Sequence, residues 1–379
     1  MSLSTRVSIY EMALHLVEGV GGVTARNLLA HFGSAENIFK AKKHQLLSLQ
    51  GIGAKVSQAI TENQSVLFQK AEKEIEDAKK HGIQILFFLD DAYPKRLKYI
   101  DDAPILLYQK GNTNLNQDKN IAIVGTRQST QYGKNFIEKL LLELKPYKPL
   151  VISGMAYGID IIAHRESIKN DFPTVGVLAN GLDTIYPSAH KSTAEQMIEC
   201  GGALLTEFPL GTRPDAPRFP ARNRITAALS DVVIVVESMK KGGAMITAQY
   251  ANDYNREVFA LPGNIYSSAS DGCNHLIKTH QAHLITSAED IAYIMNWDVV
   301  SNKSPKKVLS LDNLELSEAE ISVIKFLFEK EEASLDEMCL LLSIPLNQMA
   351  VILLNLEMQD FINALPGKRF NLKTKLFIR

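Results

Sequence analysis

Five consecutive apolar residues, Val232-Val-Ile-Val-Val236, stand between Asp231 and Glu237 and constrain this chain more than any other stretch. A run this short and this β-branched reads as a strand buried on both faces, the situation of a parallel sheet covered by helices. Further strands are expected at Ile121–Val124, Leu150–Ser153, Thr174–Leu178, Ala203–Thr206, Val258–Leu261 and His283–Ile285. Amphipathic helices fall between most of them, most clearly at Gly133–Leu144, Gly158–Lys169, Arg222–Leu229 and Gly243–Tyr254. Strand and helix repeated in this way predict an α/β fold with a doubly wound, mostly parallel sheet. Two strands, Ile83–Leu89 and Pro104–Tyr108, lead into it, and a capping box at Ser287-Ala-Glu-Asp290 opens its last helix.

The flanks differ in kind. Residues 1–80 read as an all-helical domain with two glycine turns, Gly19-Val-Gly-Gly22 and Gly51-Ile-Gly53, each set between helical patterns. This repeat resembles the helix-hairpin-helix module, whose turn amides can hold a DNA phosphate. Lys55 suits that role in the second copy, and Thr24 and Arg26 in the first. Glycines that only close helices and let hairpins pack account for the same pattern, and both readings stand. Residues 81–297 form the sheet domain, and 298–313, rich in Ser, Asn, Lys and Pro, read as a linker. Residues 314–379 suggest helices at Ser317–Glu329, Ser334–Leu342 and Leu346–Gln359, then a β-like end, Phe361–Leu372, turning at Pro366-Gly-Lys-Arg369. That order is the winged-helix pattern. The segment holds 10 acids against 7 bases, which argues against strong general DNA contact. Its usable cations are Lys368, Arg369, Lys373 and Lys375.

A net charge of −1 over 379 residues supplies no global field for a polyanion, so any nucleic acid must be held by a local patch. Cys200, Cys273 and Cys339 fit neither a zinc spacing nor a disulfide framework, which suits a reducing cytosol. No apolar h-region follows Met1 and no run nears the ~20 residues of a membrane helix. The expectation is a cytoplasmic protein without signal peptide or membrane contact.

Open α/β sheets bind at the carboxyl ends of their strands, and five loops stand out there. In Gly125-Thr-Arg-Gln-Ser129, Thr126, Ser129 and helix amides can donate to a phosphate while Arg127 adds charge. The loop has neither G-x-G-x-x-G spacing nor a P-loop Gly-Lys-Ser/Thr, which counts against dinucleotide binding. In Ser153-Gly-Met-Ala-Tyr-Gly-Ile-Asp160, Tyr157 offers a stacking face. Asp160 reads as a helix-start acid or as a partner that orients Arg127, and His164, one turn on, as a structural residue. Asn180 and Gly181, in Ala179–Pro187, suit an unusual backbone. Lys240-Lys-Gly-Gly-Ala-Met-Ile-Thr247 sets Lys240 and Lys241 beside Gly242 and Gly243 at a helix start, which suits an anion nest. The fifth loop is Leu261–Asn264. Beside these, residues 211–224 carry Arg213, Arg218, Arg222 and Arg224 against one acid, Asp215. Guanidinium forks match phosphate oxygens and Phe219 presents a ring for a base; a solvated helix start with one or two salt bridges is the plainer account. No nucleophile–base–orienter set and no metal-ligand cluster can be assembled, so neither an enzyme nor a cofactor is expected.

Seven collinear motifs carry a resemblance. They are Ile123-Val-Gly-Thr-Arg127, residues 153–164, Gly181–Pro187, Gly202–Gly211, Phe219-Pro-Ala-Arg-Asn-Arg-Ile225, Gly242–Ala248 and Phe259-Ala-Leu-Pro-Gly263. Together they resemble the DprA/Smf family of DNA-processing proteins over about residues 81–290. The resemblance implies an extended Rossmann-like domain that binds and protects single-stranded DNA, forms a homodimer and helps load the RecA recombinase in natural transformation. Mapped onto this sequence, the expected DNA contacts are Gly125, Thr126, Arg127, Ser129, Ser153, Gly154, Met155, Ala156, Tyr157, Gly158, Arg218, Phe219, Arg222, Asn223, Arg224, Lys240, Lys241, Gly242 and Gly243. Many family members carry a basic residue where Tyr157 stands, so stacking here replaces a phosphate contact and lowers the salt dependence. The family's dimer contact falls at Asp271–Ile285. The alternative is a nucleotide phosphoribohydrolase of the lysine-decarboxylase-like fold, whose chemistry rests on a glutamate. The corresponding stretch, Gly242–Gln249, has none. A nucleotide-sensing Rossmann protein is a weaker third reading.

Overall fold

The computed structural model describes residues 7–297, 316–330, 332–365 and 368–373. The expected linker at 298–313, the first six residues, and Pro366, Gly367 and Lys375 of the expected tail hairpin lie outside the described residues. The chain divides into two compact units, one up to Val300 and one from Ser301.

In the first unit, short and mostly apolar segments form β1 (Ile83–Phe87), β2 (Leu106–Gly111), β3 (Asn120–Val124), β4 (Leu150–Ser153), β5 (Thr174–Val177), β6 (Ala203–Thr206), β7 (Val232–Val235), β8 (Glu257–Ala260) and β9 (His283–Leu284). They make one nine-stranded sheet in the order β1-β2-β6-β5-β4-β3-β7-β8-β9. Pairing is parallel from β6 to β9 and antiparallel at β1–β2 and β2–β6. The sheet is thus mostly parallel, and β3 is its switch point, because the chain winds outward to β4 on one side and later returns to β7 on the other.

Strand alternation sends Ile121, Ile123, Val232 and Ile234 to one face, where they pack with Phe136, Ile137 and Leu140 of helix Gln131–Glu143. Ala122, Val124, Val233 and Val235 face the other way, onto Ala244, Ala248 and Ala251 of helix Gly243–Asp253. A bidentate pair closes the amino end of β7: Arg96 donates to Asp231 at 2.6 and 2.7 Å, and the Asn120 N–H of β3 donates to the same carboxylate at 2.9 Å. Helices Lys191–Glu199 and Asp271–Lys278 fill two further intervals between strands, in keeping with the expected alternation. Helix Arg218–Ala228 begins one turn earlier than expected.

Helices Ile9–Leu16, Gly22–Phe32, Ala35–Lys40, Lys43–Leu47, Ala54–Glu62 and Gln64–Lys80 make up the amino-terminal region. Their core runs without a break into the sheet: Met12, Leu28, Ile38 and Ile60 share one buried cluster with Ile83, Leu106, Tyr108 and Leu204. The first glycine turn is part of this seam. A side chain at Gly22 would stand 2.1 Å from the Ala103 carbonyl oxygen. Arg26 donates to the Ile100 and Asp101 carbonyls at 2.6 and 3.0 Å and lies over the Phe88 ring. The second turn is open, and Lys55 is paired with Glu18 at 2.8 Å on the surface.

The second unit holds helices Glu318–Lys330, Leu335–Leu342 and Leu346–Met358 with β10 (Glu332–Ser334), β11 (Ile362–Leu365) and β12 (Arg369–Leu372). The strands form an antiparallel sheet ordered β10-β12-β11 over a core of Val323, Ile324, Leu327, Met338, Met349, Leu353 and Leu356. Strand β10, between the first two helices, was not expected.

The two glycine turns generate a contrast. Gly22→Ala should cost about 2–3 kcal/mol through the forced displacement of the Ala103 backbone, while Gly53→Ala, with nothing near its Cβ position, should cost below about 1 kcal/mol. Urea unfolding midpoints read the difference, and equal midpoints would contradict the packing role of the first turn.

Candidate nucleic-acid interface

The 3.6-residue period of helix Arg218–Ala228 decides which of its side chains act together. Phe219, Arg222, Asn223 and Thr226 recur at spacings of three and four and share one face. That face borders an open cleft of about 1060 Å³ at the carboxyl ends of β3, β4 and β7. Across it lie Gly125, Thr126, Arg127 and Gln128 after β3, Gly154, Ala156 and Asp160 after β4, and Ser238, Met239, Gly242, Gly243 and Thr247 after β7.

The rim is built from exposed cation and rings. The Arg127 guanidinium lies 5.8 Å from the centre of the Phe219 ring, and Tyr186 flanks the same ring at 5.7 Å. Tyr157, half-exposed, meets His190 edge-on at 4.8 Å, while His190 Nδ1 sits 2.7 Å from the Met155 carbonyl oxygen. A small adjoining pocket of about 50 Å³ is lined by Met155, Tyr157, Leu178, Tyr186 and Phe219. The loop that carries Arg127 is held from two sides. Thr126 N–H donates to the Glu237 carbonyl at 2.7 Å, and the Glu237 carboxylate accepts from Thr130 N–H and Oγ1 at 2.9 and 2.5 Å.

Arg222 lies beneath the rim, buried, with Nη1 donating to the Val177 carbonyl and Nε unpartnered. Gly154 permits this. A side chain there would stand 2.4 Å from Asp160 Oδ2 and 2.6 Å from both Arg222 Nη atoms. Among the described residues Arg222 forms no ion pair within 4 Å. Burial pulls its guanidinium below the usual arginine range. Burial also pushes Asp160 up to about 6, against the opposing pull of Arg222. His164, fully buried, is pushed down to about 4 and bridges Gly154 carbonyl oxygen at 2.6 Å and Thr174 Oγ1 at 2.7 Å. It is therefore a neutral structural residue, as its place in the sequence suggested.

Several expected contacts fall elsewhere. Arg224 points away from the cleft, opposite Phe219 and Thr226 on the helical wheel. It pairs with Glu207 at 2.6 Å and Asp102 at 3.3 Å, and Tyr254 donates to Asp102 at 2.8 Å. Its grouping with Arg222 was an error of helical period, since two residues on means about 200° round the axis. Arg218 is spent on the Arg213 carbonyl at 2.6 Å and the Phe208 ring. Ser153 is buried and donates to the Ile123 carbonyl at 2.6 Å. Ser129 and Gly158 lie outside the cleft lining, though Ile159 N–H, next to Gly158, donates to the Thr126 carbonyl at 3.1 Å. Lys240 and Lys241 are exposed on the turn between Met239 and Gly242, at the edge of the cleft. Tyr186, Arg213 and Thr226 line the cleft without having been singled out as contacts. The signal for Thr226 was its seven-residue spacing from Phe219, and for Tyr186 its place in a strand-end loop.

Two measurements follow from these positions. Arg224→Ala strands two carboxylates, one of them largely shielded from solvent, and should cost about 3 kcal/mol in urea unfolding; a loss below about 1 kcal/mol would show that the pairs carry no weight. Separately, His15 and His164 are both pushed down to about 4 by burial, so the stability of their neutral forms is complete above about 6.5 and is lost as pH falls toward 4. Asp160 works with opposite sign, losing stability as pH rises from about 4 to 6. His164→Gln should therefore lose less stability than the wild type as pH falls from about 6.5 toward 4, which flattens the pH slope of unfolding stability. An unchanged slope would contradict the assignment.

Known proteins match this arrangement. A family model described as DNA recombination-mediator protein A covers residues 84–296, and a helix-hairpin-helix motif covers 16–66. Protein Smf of Synechocystis sp. is 30% identical, with 95% of this chain and 98% of that protein covered. The X-ray structure of DNA processing protein A from Streptococcus pneumoniae superposes with a TM-score of 0.61 at 30% identity, over 78% of this chain and 99% of that one. A Helicobacter pylori DNA processing protein A structure, described for its single-stranded DNA binding mode, gives 0.51 at 32% identity, over 57% and 97%. With most of its sheet unit matched by the family model and nearly its whole length by a relative, this chain belongs to the DprA/Smf family of DNA recombination-mediator proteins.

Proposed function

We propose that this chain binds a single DNA strand in the cleft at the carboxyl ends of β3, β4 and β7 and delivers it to a RecA recombinase without catalysing a reaction on it. The observation that carries this reading is the stack of Arg127, Phe219 and Tyr186 along one rim. A guanidinium binds backbone phosphate, and rings accept unpaired bases, which a duplex does not offer. Arg213 and the exposed Lys240 and Lys241 extend the cationic border. Asp160 and Asp215 are the carboxylates that line the cleft. Asp160 is buried against Arg222 rather than poised over open space, which favours binding over hydrolysis. The solved relative from H. pylori, described by its single-stranded DNA binding mode, supports the same ligand.

The rest of the reading follows the family: a cytoplasmic homodimer that joins through the segment around Asp271–Ile285, protects the bound strand and assists recombination. The second unit, three helices with a small antiparallel sheet, is read as a winged helix. No single helix among the described residues is long and apolar enough to cross a membrane.

Fluorescence anisotropy with a short oligothymidylate at several salt concentrations tests the proposal. Arg127→Ala should weaken binding about tenfold and reduce the salt slope by about 0.7, one phosphate contact on a single strand. Phe219→Ala should weaken it by roughly 5- to 150-fold, the range of one lost stacking contact, with the slope unchanged. Affinity should also fall as pH rises through about 6, where Asp160 takes on charge beside Arg222, and Asp160→Asn should abolish that dependence. Wild-type affinity in both the Arg127 and Phe219 variants would overturn the site, and turnover of nucleoside monophosphates to free base would overturn the non-enzymatic reading.

A further inference from the structure

Helix Leu346–Met358 of the second unit is apolar on two sides. Met349, Leu353 and Leu356 are buried in the core of that unit. On the outer side, Val351, Leu354 and Met358 are 58%, 56% and 79% exposed; Leu346, at 59%, and Leu340 and Leu341 of helix Leu335–Leu342 are exposed as well. A helix apolar all round is normally buried all round, yet among the described residues only the inner face is covered. From Met338 to Leu356 there is no charged residue. A helix that docks on DNA needs cations for phosphates, so this face is not built for a nucleic acid.

We infer that this face pairs with the same face of a second copy of the chain, in a two-fold helix-to-helix contact. Three features on the surface itself favour that occupant. An uncharged patch does not repel its own image, whereas the acids of the unit, such as Asp336, Glu337, Glu357 and Asp360, sit at its ends. Asn347, Val351, Leu354 and Met358 follow spacings of four, three and four, the seam by which a helix packs on a copy of itself. Six large, half- to four-fifths-exposed apolar side chains offer on the order of 500–600 Å² per copy, approaching the ~800 Å² per partner of a standard interface before any polar rim is added. Lipid is a poorer match: the two helices are bent 116° apart, and neither approaches the ~20 residues of a span.

This contact is separate from the dimer proposed for the sheet unit, so its test reads assembly in steps. Sedimentation velocity of the full chain across a concentration series is compared with Val351→Glu/Leu354→Glu, both at exposed positions. The variant is expected to lose one step of assembly, tetramer to dimer if the sheet unit also dimerises and dimer to monomer if it does not, with self-association at least tenfold weaker and circular dichroism unchanged. Mixing it with Val351→Lys/Leu354→Lys should restore the lost step, because opposite charges then meet across the seam. Equal masses for wild type and the glutamate variant, or no recovery on mixing, would overturn the inference. So would sedimentation of the wild type, and not the variant, with phosphatidylcholine–phosphatidylglycerol vesicles, which would assign the face to lipid.

Discussion

Arg222 is buried where two strands end and two helices begin. Its Nη1 holds the Val177 carbonyl at the end of β5, its fork lies against Gly154 after β4, and Asp160 on the next helix flanks the same glycine. A guanidinium placed this way, with no carboxylate in ion-pair contact among the described residues, costs desolvation energy that burial alone does not return. What it secures is position. Helix Arg218–Ala228 cannot rotate or slide without breaking the Val177 contact, so Phe219, one turn before, stays beneath Arg127. Below a pH of about 6, where Asp160 is neutral, Arg222 leaves a net positive charge under the cleft floor. A polyanion is the kind of ligand that such a floor favours.

The same helix serves two purposes on opposite faces. Toward the cleft it presents Phe219, Asn223 and Thr226. Away from it, Arg224 knits Glu207, Asp102 and Tyr254 together at the seam where the amino-terminal helices meet the sheet. His15, from the first helix, lies partly buried in the same neighbourhood. The helical region is fixed to the sheet through hydrogen bonds as well as through the shared apolar core, with Arg26 donating to the Ile100 and Asp101 carbonyls and Glu74 accepting from the Leu210 N–H. Its first glycine turn is consumed in that packing and leaves only the second turn open to solvent.

The doubly wound sheet was legible because Val232–Val236, Ile121–Val124 and Leu150–Ser153 have no other economical use than buried parallel strands. The cleft was legible as a set of strand-end loops, since topology alone places those loops together. The direction of individual side chains was less so. Arg222 and Arg224 look equivalent in a linear string, and only the period of the helix separates a residue under the cleft from one in an internal ion pair. Arg26 and Ser153 were likewise recruited by partners distant in sequence, Ile100 and Ile123, which no local pattern announces. The apolar outer face of Leu346–Met358 was visible as composition but needed the structure to show which side was already covered.

Under the proposed function, one rim of rings and a guanidinium is the path of the bound strand. Photo-crosslinking reads that path directly: an oligodeoxynucleotide carrying 5-iodouracil is irradiated with the full chain, and the attached peptides are identified by mass spectrometry. Adducts are expected on Tyr157, Tyr186 or Phe219. Adducts confined to the amino-terminal hairpins or to the second unit would contradict it.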